Sequence, residues 1–410
     1  MSTNIPAVFH RPFLSVFMSQ LWTDLADQMF LVALTWAIIA TGHGLDLGLV
    51  LMAWALPRGA FLLVGGVLID RWDRRQLGIM TSLLLAFLIG GLSIGFATHQ
   101  LTLPIWLVVA VVLGLLDGIR LPIATALIPL VVPSEHVLTA NRWSQVRSWM
   151  ILIIGPALGG VITALFQVTG AFLVVAGLYL VSGWFLVSLP PLPSSSTKQH
   201  ILKDLTEGWH FAWKHPRLRL LLPLFALVHL FILGPIAVGI PLFVNNILHS
   251  GASGLGVVSG SYGVGMTLGT LSMGKWPRWF STSMMGLFTL FALSDCGIAL
   301  VGFSTTLWMM CAAYFFSGFC LGPAAALYQT LLQTSTPPEY LGRVSGIARA
   351  TSFGLEPVSS LMTGILSQTL SAGAILIAAG FFATGTDLFG VWRGRYIDTQ
   401  DVNDPAPRFV

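Results

Sequence analysis

The chain has 410 residues, of which 55% are hydrophobic and only 9% charged, and its mean hydropathy is +0.83. So few charges cannot cover the surface of a water-soluble domain of this length, a difficulty that disappears if lipid is the solvent. The net charge of +4 does not mark a nucleic-acid surface, because the lysines and arginines stand at the boundaries of apolar runs.

The first apolar run starts near Phe13. It is too long for the core of a signal peptide and carries carboxylates, so it is expected to be a retained first span. A membrane helix needs about 20 apolar residues. Runs of that size fall near 13–40, 47–69, 76–97, 104–131, 140–165 and 170–189, and again near 218–245, 253–275, 283–303, 306–333, 343–369 and 372–391. The expectation is an all-α membrane protein of twelve transmembrane helices.

Charge placement orients them. With both termini cytoplasmic, the inner segments hold Arg11, Arg71, Arg74, Arg75, Arg142, Lys198, Lys203, Lys214, Arg217, Arg219, Lys275, Arg278, Arg343, Arg393, Arg395 and Arg408. The outer loops hold no lysine or arginine, which is the positive-inside pattern. Arg58, Arg120, Arg147 and Arg349 fall within spans. The one long polar connection begins Pro/Ser-rich and continues as a short amphipathic segment suited to the membrane surface. The expected organisation is an N-terminal six-helix bundle (1–189), a cytoplasmic linker with a short amphipathic helix (190–217), a C-terminal six-helix bundle (218–391) and a cytoplasmic tail (392–410).

The two halves repeat one another. Pro122, Arg142 and Pro156 recur as Pro323, Arg343 and Pro357, each 201 residues on, and "PIATALIPL" echoes "PAAALYQTL". Two six-span repeats in the same orientation are the layout of a transporter that rocks around a central site.

The segment "GVLIDRWDRR" resembles the G-x-x-x-D-R-x-x-R-R loop signature of the major facilitator superfamily, carried here by Gly66, Asp70, Arg71, Arg74 and Arg75. The resemblance implies the two-bundle major facilitator fold and a gating role for this loop, with Asp70 paired to Arg343 or a neighbouring base in the outward-open state. "GPALGG", with Gly155, Pro156, Gly159 and Gly160, is similar to the core of the fifth-span signature of proton-driven antiporters; Ile151 stands where that signature has an upstream glycine. "PIATALIPLVVPSEHVLTANRWSQ", "LTEGWHFAWKHPRLRLLL" and "PEYLGRVSG" resemble the macrolide-efflux and siderophore-exporter branch of drug:proton antiporters. In that branch the positions of Asp24, Arg120, Arg349 and Glu356 are usually small or uncharged, which implies a substrate or coupling arrangement particular to this chain.

A charge near a helix centre costs about 2.5–3.5 kcal/mol on insertion scales. Asp24, Asp27, Arg58, Asp117, Arg120, Asp295 and Glu356 all fall there and must be paired, hydrated or protonated. Gln20, Asp24, Asp27 and Gln28 share one helical face, read either as a polar stripe of a cavity that takes a cation or proton, or as interhelical glue. Asp117 and Arg120 can pair locally or line the same cavity. His229 is either a proton relay or a hydrogen-bonded packing residue, and Asp295, on a peripheral span in the family architecture, is expected to be structural. Arg58 and Glu356, at the centres of spans that face each other in that architecture, are expected to bridge the two bundles. The competing reading pairs Arg58 with Asp24 or Asp27, and Glu356 with Arg349. Trp22, Trp36, Tyr314, Phe315, Phe319 and Tyr328 are candidates for an adaptable apolar lining.

HExxH and P-loop patterns are missing from the sequence, so no enzymatic activity is expected. Cys296, Cys311 and Cys320 lie in apolar runs without CxxC spacing, which predicts buried thiols and no metal site. The expected protein is a monomeric, multi-pass inner-membrane antiporter without a cofactor. Its partners would be protons, the lipid bilayer and a small amphipathic substrate. Two alternatives stand beside it: an exporter or flippase of one defined solute (siderophore, lysolipid or metal chelate), and a transporter-like receptor that does not translocate.

Overall fold

The structure, a computed structural model, describes residues 10–41, 44–69, 73–133, 136–190, 201–273, 277 and 283–403. These residues are almost wholly helical, and helices lie on each of the apolar runs. In chain order they are α1 (Arg11–Thr41), α2 (Gly44–Ile69), α3 (Arg74–Ala97), α4 (Leu103–Val131), α5 (Val137–Val187), α6 (Ile201–Lys214), α7 (Pro216–Gly234), α8 (Ile240–Asn246), α9 (Gly251–Ser272), α10 (Met284–Gly302), α11 (Leu307–Thr334), α12 (Pro338–Leu366) and α13 (Ala372–Asn403).

Among the described residues, eight helical stretches are long and apolar enough to cross a membrane. One of them, within α5, is two helices joined at a break, each long enough for one pass of a bilayer. Gln167 breaks it with φ 58° and ψ 179°, a left-handed residue that no regular helix accommodates. Helices α1, α9 and α12 are as long as a span but more polar, α1 through its Gln/Asp stripe and α9 through glycine and serine.

Breaks and caps follow from local chemistry. The Asp73 carboxylate accepts from Arg75 N–H (2.9 Å) and Ser283 Oγ from Gly286 N–H (2.9 Å), satisfying the orphan donors at the starts of α3 and α10. Between α7 and α8 the chain widens into a π-turn, Pro235–Gly239, where Ile240 N–H donates to Pro235 O. Pro241 has no N–H to continue a regular ladder, and the wider turn absorbs that loss.

The chain forms two compact units. The first comprises α1, α2 from Ala53 onward, α3 to α5, and α9 up to Gly260; the second comprises α2 up to Met52, α6 to α8, α9 from Ser261, and α10 to α13. A core of Phe13, Val16, Leu77, Ile123, Leu127 and Leu186 holds the first. Leu218, Leu221, Leu287, Phe288, Leu327, Leu331 and Ile347 hold the second.

Small residues let helices touch within each unit. A Cβ on Gly160 of α5 would lie 2.9 Å from Gly256 Cα of α9, and one on Gly48 of α2 would lie 2.7 Å from Ser360 O of α12. In α6 the Trp209 and Trp213 rings stack at 5.3 Å and are half exposed, while Phe211 stacks on Tyr340 of α12 at 4.6 Å. One face of α6 is therefore docked and the other presents tryptophan to the surroundings.

Candidate functional site

The polar stripe of α1 meets partners from α4 and from both passes of α5 inside the first unit. Asp27 lies one turn beyond Asp24, on the same face. Arg120 of α4 bonds Asp27 Oδ2 at 2.6 Å and Asp117 Oδ1 at 3.3 Å. The Tyr179 hydroxyl, from the second pass of α5, donates to Asp27 Oδ1 at 2.5 Å. Arg147, from the first pass of α5, reaches Asp24 Oδ2 at 3.1 Å and donates to Gln20 Oε1 at 2.5 Å. The Trp54 indole N–H of α2 donates to Asp117 Oδ2 at 2.9 Å. Ser182 bonds both Ser19 (2.9 Å) and Thr23 (2.6 Å), which extends the stripe by one more turn.

Glycines make these approaches possible. Gly114 and Gly118 on α4 face α2: a Cβ on Gly114 would collide with Trp54 O, and one on Gly118 would lie 2.5 Å from Phe61 Cβ. The close crossing carries Asp117 to the Trp54 indole. On α5, a Cβ on Gly155 would lie 2.5 Å from Gln28 Cβ, and one on Gly159 2.9 Å from Met29 Cα. Two glycines of the antiporter-type segment thus seat α5 directly on the polar helix α1, beside Pro156, which lies inside α5.

A cavity of about 420 Å³ opens against this network, lined by Gln20, Thr23, Asp24, Arg120, Arg147 and Ser182 among others. That volume falls within the usual range for small-molecule sites. A larger groove of about 980 Å³ between α3 and the second pass of α5 is lined almost wholly by apolar side chains, including the exposed Met80, Leu83, Phe87 and Leu173. It is what a lipid-facing surface presents.

The other expected site residues are placed as follows. Arg58 lies in the first unit with its guanidinium 5.6 Å from the Trp54 ring; Glu356 is half-buried on α12 in the second. The His229 ring packs 3.9 Å from Phe225, and its Nδ1 donates to Phe225 O at 2.9 Å, which leaves Nε2 as the acceptor of the neutral ring. In the loop signature, Gly66 belongs to α2, and Asp70 and Arg71 lie outside the described residues. Arg74 is buried, and Arg75 donates to Leu186 O (3.2 Å) and Val187 O (2.7 Å), capping the carbonyls at the end of α5. Arg343 stacks over Tyr340 at 5.6 Å.

Arg147, Tyr179 and Trp54 were absent from the expected site. Arg147 carried a signal, being an arginine inside an apolar run; Tyr179 and Trp54 carried none, since aromatic residues recur throughout the spans.

Residues 16–358 match the model of the Major Facilitator Superfamily. The chain is 23% identical over 389 residues to the multidrug efflux pump Tap of Mycolicibacterium fortuitum, covering 90% of this chain and 92% of that protein. It is 28% identical over 327 residues to the enterobactin exporter EntS of Escherichia coli O127:H6 (strain E2348/69 / EPEC), covering 78% and 76%. Among solved structures it resembles a POT family transporter in complex with a thioalcohol-conjugated peptide (TM-score 0.73, 12% identity, 94% and 96% covered). It also resembles a bacterial homologue of the iron transporter ferroportin in an inward-facing state (TM-score 0.68, 16% identity, 93% and 98% covered). At those identities the likeness is one of fold.

Proposed function

The chain belongs to the Major Facilitator Superfamily and is a membrane-spanning transporter, not an enzyme; from that premise we propose that it exports small amphipathic molecules across the bacterial inner membrane in exchange for protons. In this reading it crosses the bilayer twelve times with both termini in the cytoplasm, as two six-helix bundles that work by alternating access. The names of its efflux-pump and siderophore-exporter relatives support the direction and the substrate class.

The observation that carries the coupling is the Asp27 carboxylate, held by Arg120 and Tyr179 next to a polar cavity inside a membrane unit. When Asp27 takes a proton, Arg120 loses the charge that anchors it and is left with Asp117. When the proton leaves, the pair re-forms. A cationic substrate that pairs with Asp24 or Asp27 at the cavity competes with the proton for the same carboxylates, so proton and substrate occupancy oppose each other as antiport requires. One charge crossing the membrane potential is worth about 2.3 kcal/mol per 100 mV, which sustains roughly a fortyfold gradient.

Export of a single anionic solute, such as a siderophore, is the second reading. The two guanidinium groups at the cavity favour it, because arginine forks recognise carboxylates and other anionic oxygens at close range.

Flux in proteoliposomes decides the matter. Efflux of a cationic dye and of a ferric siderophore is measured with and without an imposed pH gradient. Dye flux that rises with the gradient and loses that dependence in Asp27→Asn supports proton-coupled multidrug export. Siderophore flux alone selects the single-solute reading, and no flux of either removes translocation of these classes.

A further inference from the structure

A second set of membrane-buried carboxylates lies in the other unit, and the proposed export cycle does not use it. Asp295 on α10 and Asp387 on α13 are 4% and 0% exposed. Their helices are locked together: a Cβ on Gly380 of α13 would lie 2.5 Å from Ala299 N and 2.7 Å from Asp295 O, and one on Gly390 would lie 2.5 Å from the Phe288 ring. The backbones therefore have little room to separate and release the two side chains to solvent. The carboxyl groups of Asp295 and Asp387 interact with each other. Asp295 Oδ2 and both oxygens of Asp387 receive no hydrogen bond from any donor of the protein.

Both residues line a cavity of about 100 Å³ that is otherwise mostly apolar, with Phe225, Ile232, Phe291 and Ile298 in its wall. The titratable groups around it come from every neighbouring helix. His229 of α7 and Tyr262 of α9 line it, and Cys296 lies next to Asp295 on α10. On α11, Tyr314 stacks on Tyr262 at 4.3 Å and Tyr328 on Phe225 at 4.1 Å, and Cys320 stands three residues from the lining Ser317. No lysine or arginine is among the described residues that line it.

Two ionised carboxylates side by side in such a cavity would each lack hydration and a counter-charge, and would repel one another. A carboxylate is an acceptor only, so a hydrogen bond between two carboxyl groups exists only if one of them carries a proton and donates O–H to the other. The donor missing from the protein is then the ligand. We propose that Asp295 and Asp387 form a proton-binding site, a carboxylic acid–carboxylate pair that holds one shared proton at neutral pH between α10 and α13. Binding forms one O–H bond on a carboxylate oxygen, and release returns the proton to solvent and leaves two anions. The cavity, with His229 and Tyr262 among its lining residues, supplies polar side chains through which that proton can exchange.

The test reads the proton directly and needs no substrate, so it stands or falls independently of the export assay. The full-length protein, labelled with [4-13C]aspartate and carrying Asp27→Asn to remove that carboxyl from the spectrum, is purified in detergent. Its infrared spectrum is recorded from pH 6 to pH 10, with and without sodium chloride. The expected result is a protonated-aspartate carbonyl band at pH 7 that is lost in Asp387→Asn, with Asp295→Asn serving the same purpose if that variant does not accumulate. Three results would overturn the proposal. The first is no such band at pH 7 in the labelled protein, which needs no further variant to fold. The second is a band that survives in the Asn variant. The third is a band that sodium alone converts to carboxylate, which would make the pair a cation site.

Discussion

Replacing Arg120 by methionine removes the one guanidinium that bonds Asp27 at 2.6 Å and Asp117 at 3.3 Å. The arginine side chain is 12% exposed, and its partners 27% and 9%, so neither carboxylate recovers full hydration when it goes. Breaking a buried pair by removing one partner costs about 3–5 kcal/mol, and the upper part of that range applies where two carboxylates lose the same cation. Asp27→Asn keeps an acceptor for Tyr179 and gives up one charge-assisted bond, a loss of about 1.5–3 kcal/mol. The two changes act on one contact. The double variant should therefore lose less than the sum of the singles, by about 1.5–3 kcal/mol of coupling. Equilibrium unfolding in mixed micelles, with helicity as the signal, gives all four corners of the cycle. Arg147→Met is the internal comparison: Asp24 is 31% exposed and the contact is 3.1 Å, so its cost should be the smaller of the two arginine losses. Additivity of Arg120→Met and Asp27→Asn within about 0.5 kcal/mol would refute the claim that this pair is an energetic unit.

Tyr179→Phe removes the hydroxyl donor to Asp27 without changing the ring, and should cost about 1.5–3 kcal/mol in the same assay; it should have almost no effect in an Asp27→Leu background, and an equal effect in both backgrounds would place the hydroxyl's worth elsewhere. Gly160→Leu must displace Ala252 O and Gly256 Cα, which a Cβ would approach to 2.6 and 2.9 Å, so about 1–3 kcal/mol of stability should go. Gly177→Ala is its control: nothing lies within 4 Å of a Cβ there, and a helical glycine so replaced should gain about 0.5–1 kcal/mol. Reversed signs at 160 and 177 would show that the α5–α9 contact is not close-packed in the membrane.

The helices and the family were legible in the residues because both rest on local information. Apolar runs of about 20 residues, the Gln20/Asp24/Asp27/Gln28 face and the "GVLIDRWDRR" and "GPALGG" segments are patterns within a few turns of one helix. The Asp117–Arg120 contact was legible for the same reason, being three residues apart on α4. The sequence could not say which partner each buried charge takes. Arg147 finds Gln20 across 127 positions of chain and Tyr179 finds Asp27 across 152; no periodicity encodes those distances. Asp387 was overlooked for a related cause: a single carboxylate in an apolar run has no neighbour at helical spacing to mark it, and its partner stands on α10. In lipid the hydrophobic pattern sets where helices run, because every apolar face is equally content with the solvent. Which faces meet is set by glycines such as Gly114, Gly155 and Gly380, whose missing side chains bring particular backbones together, and the polar groups pair only after that packing has chosen their neighbours.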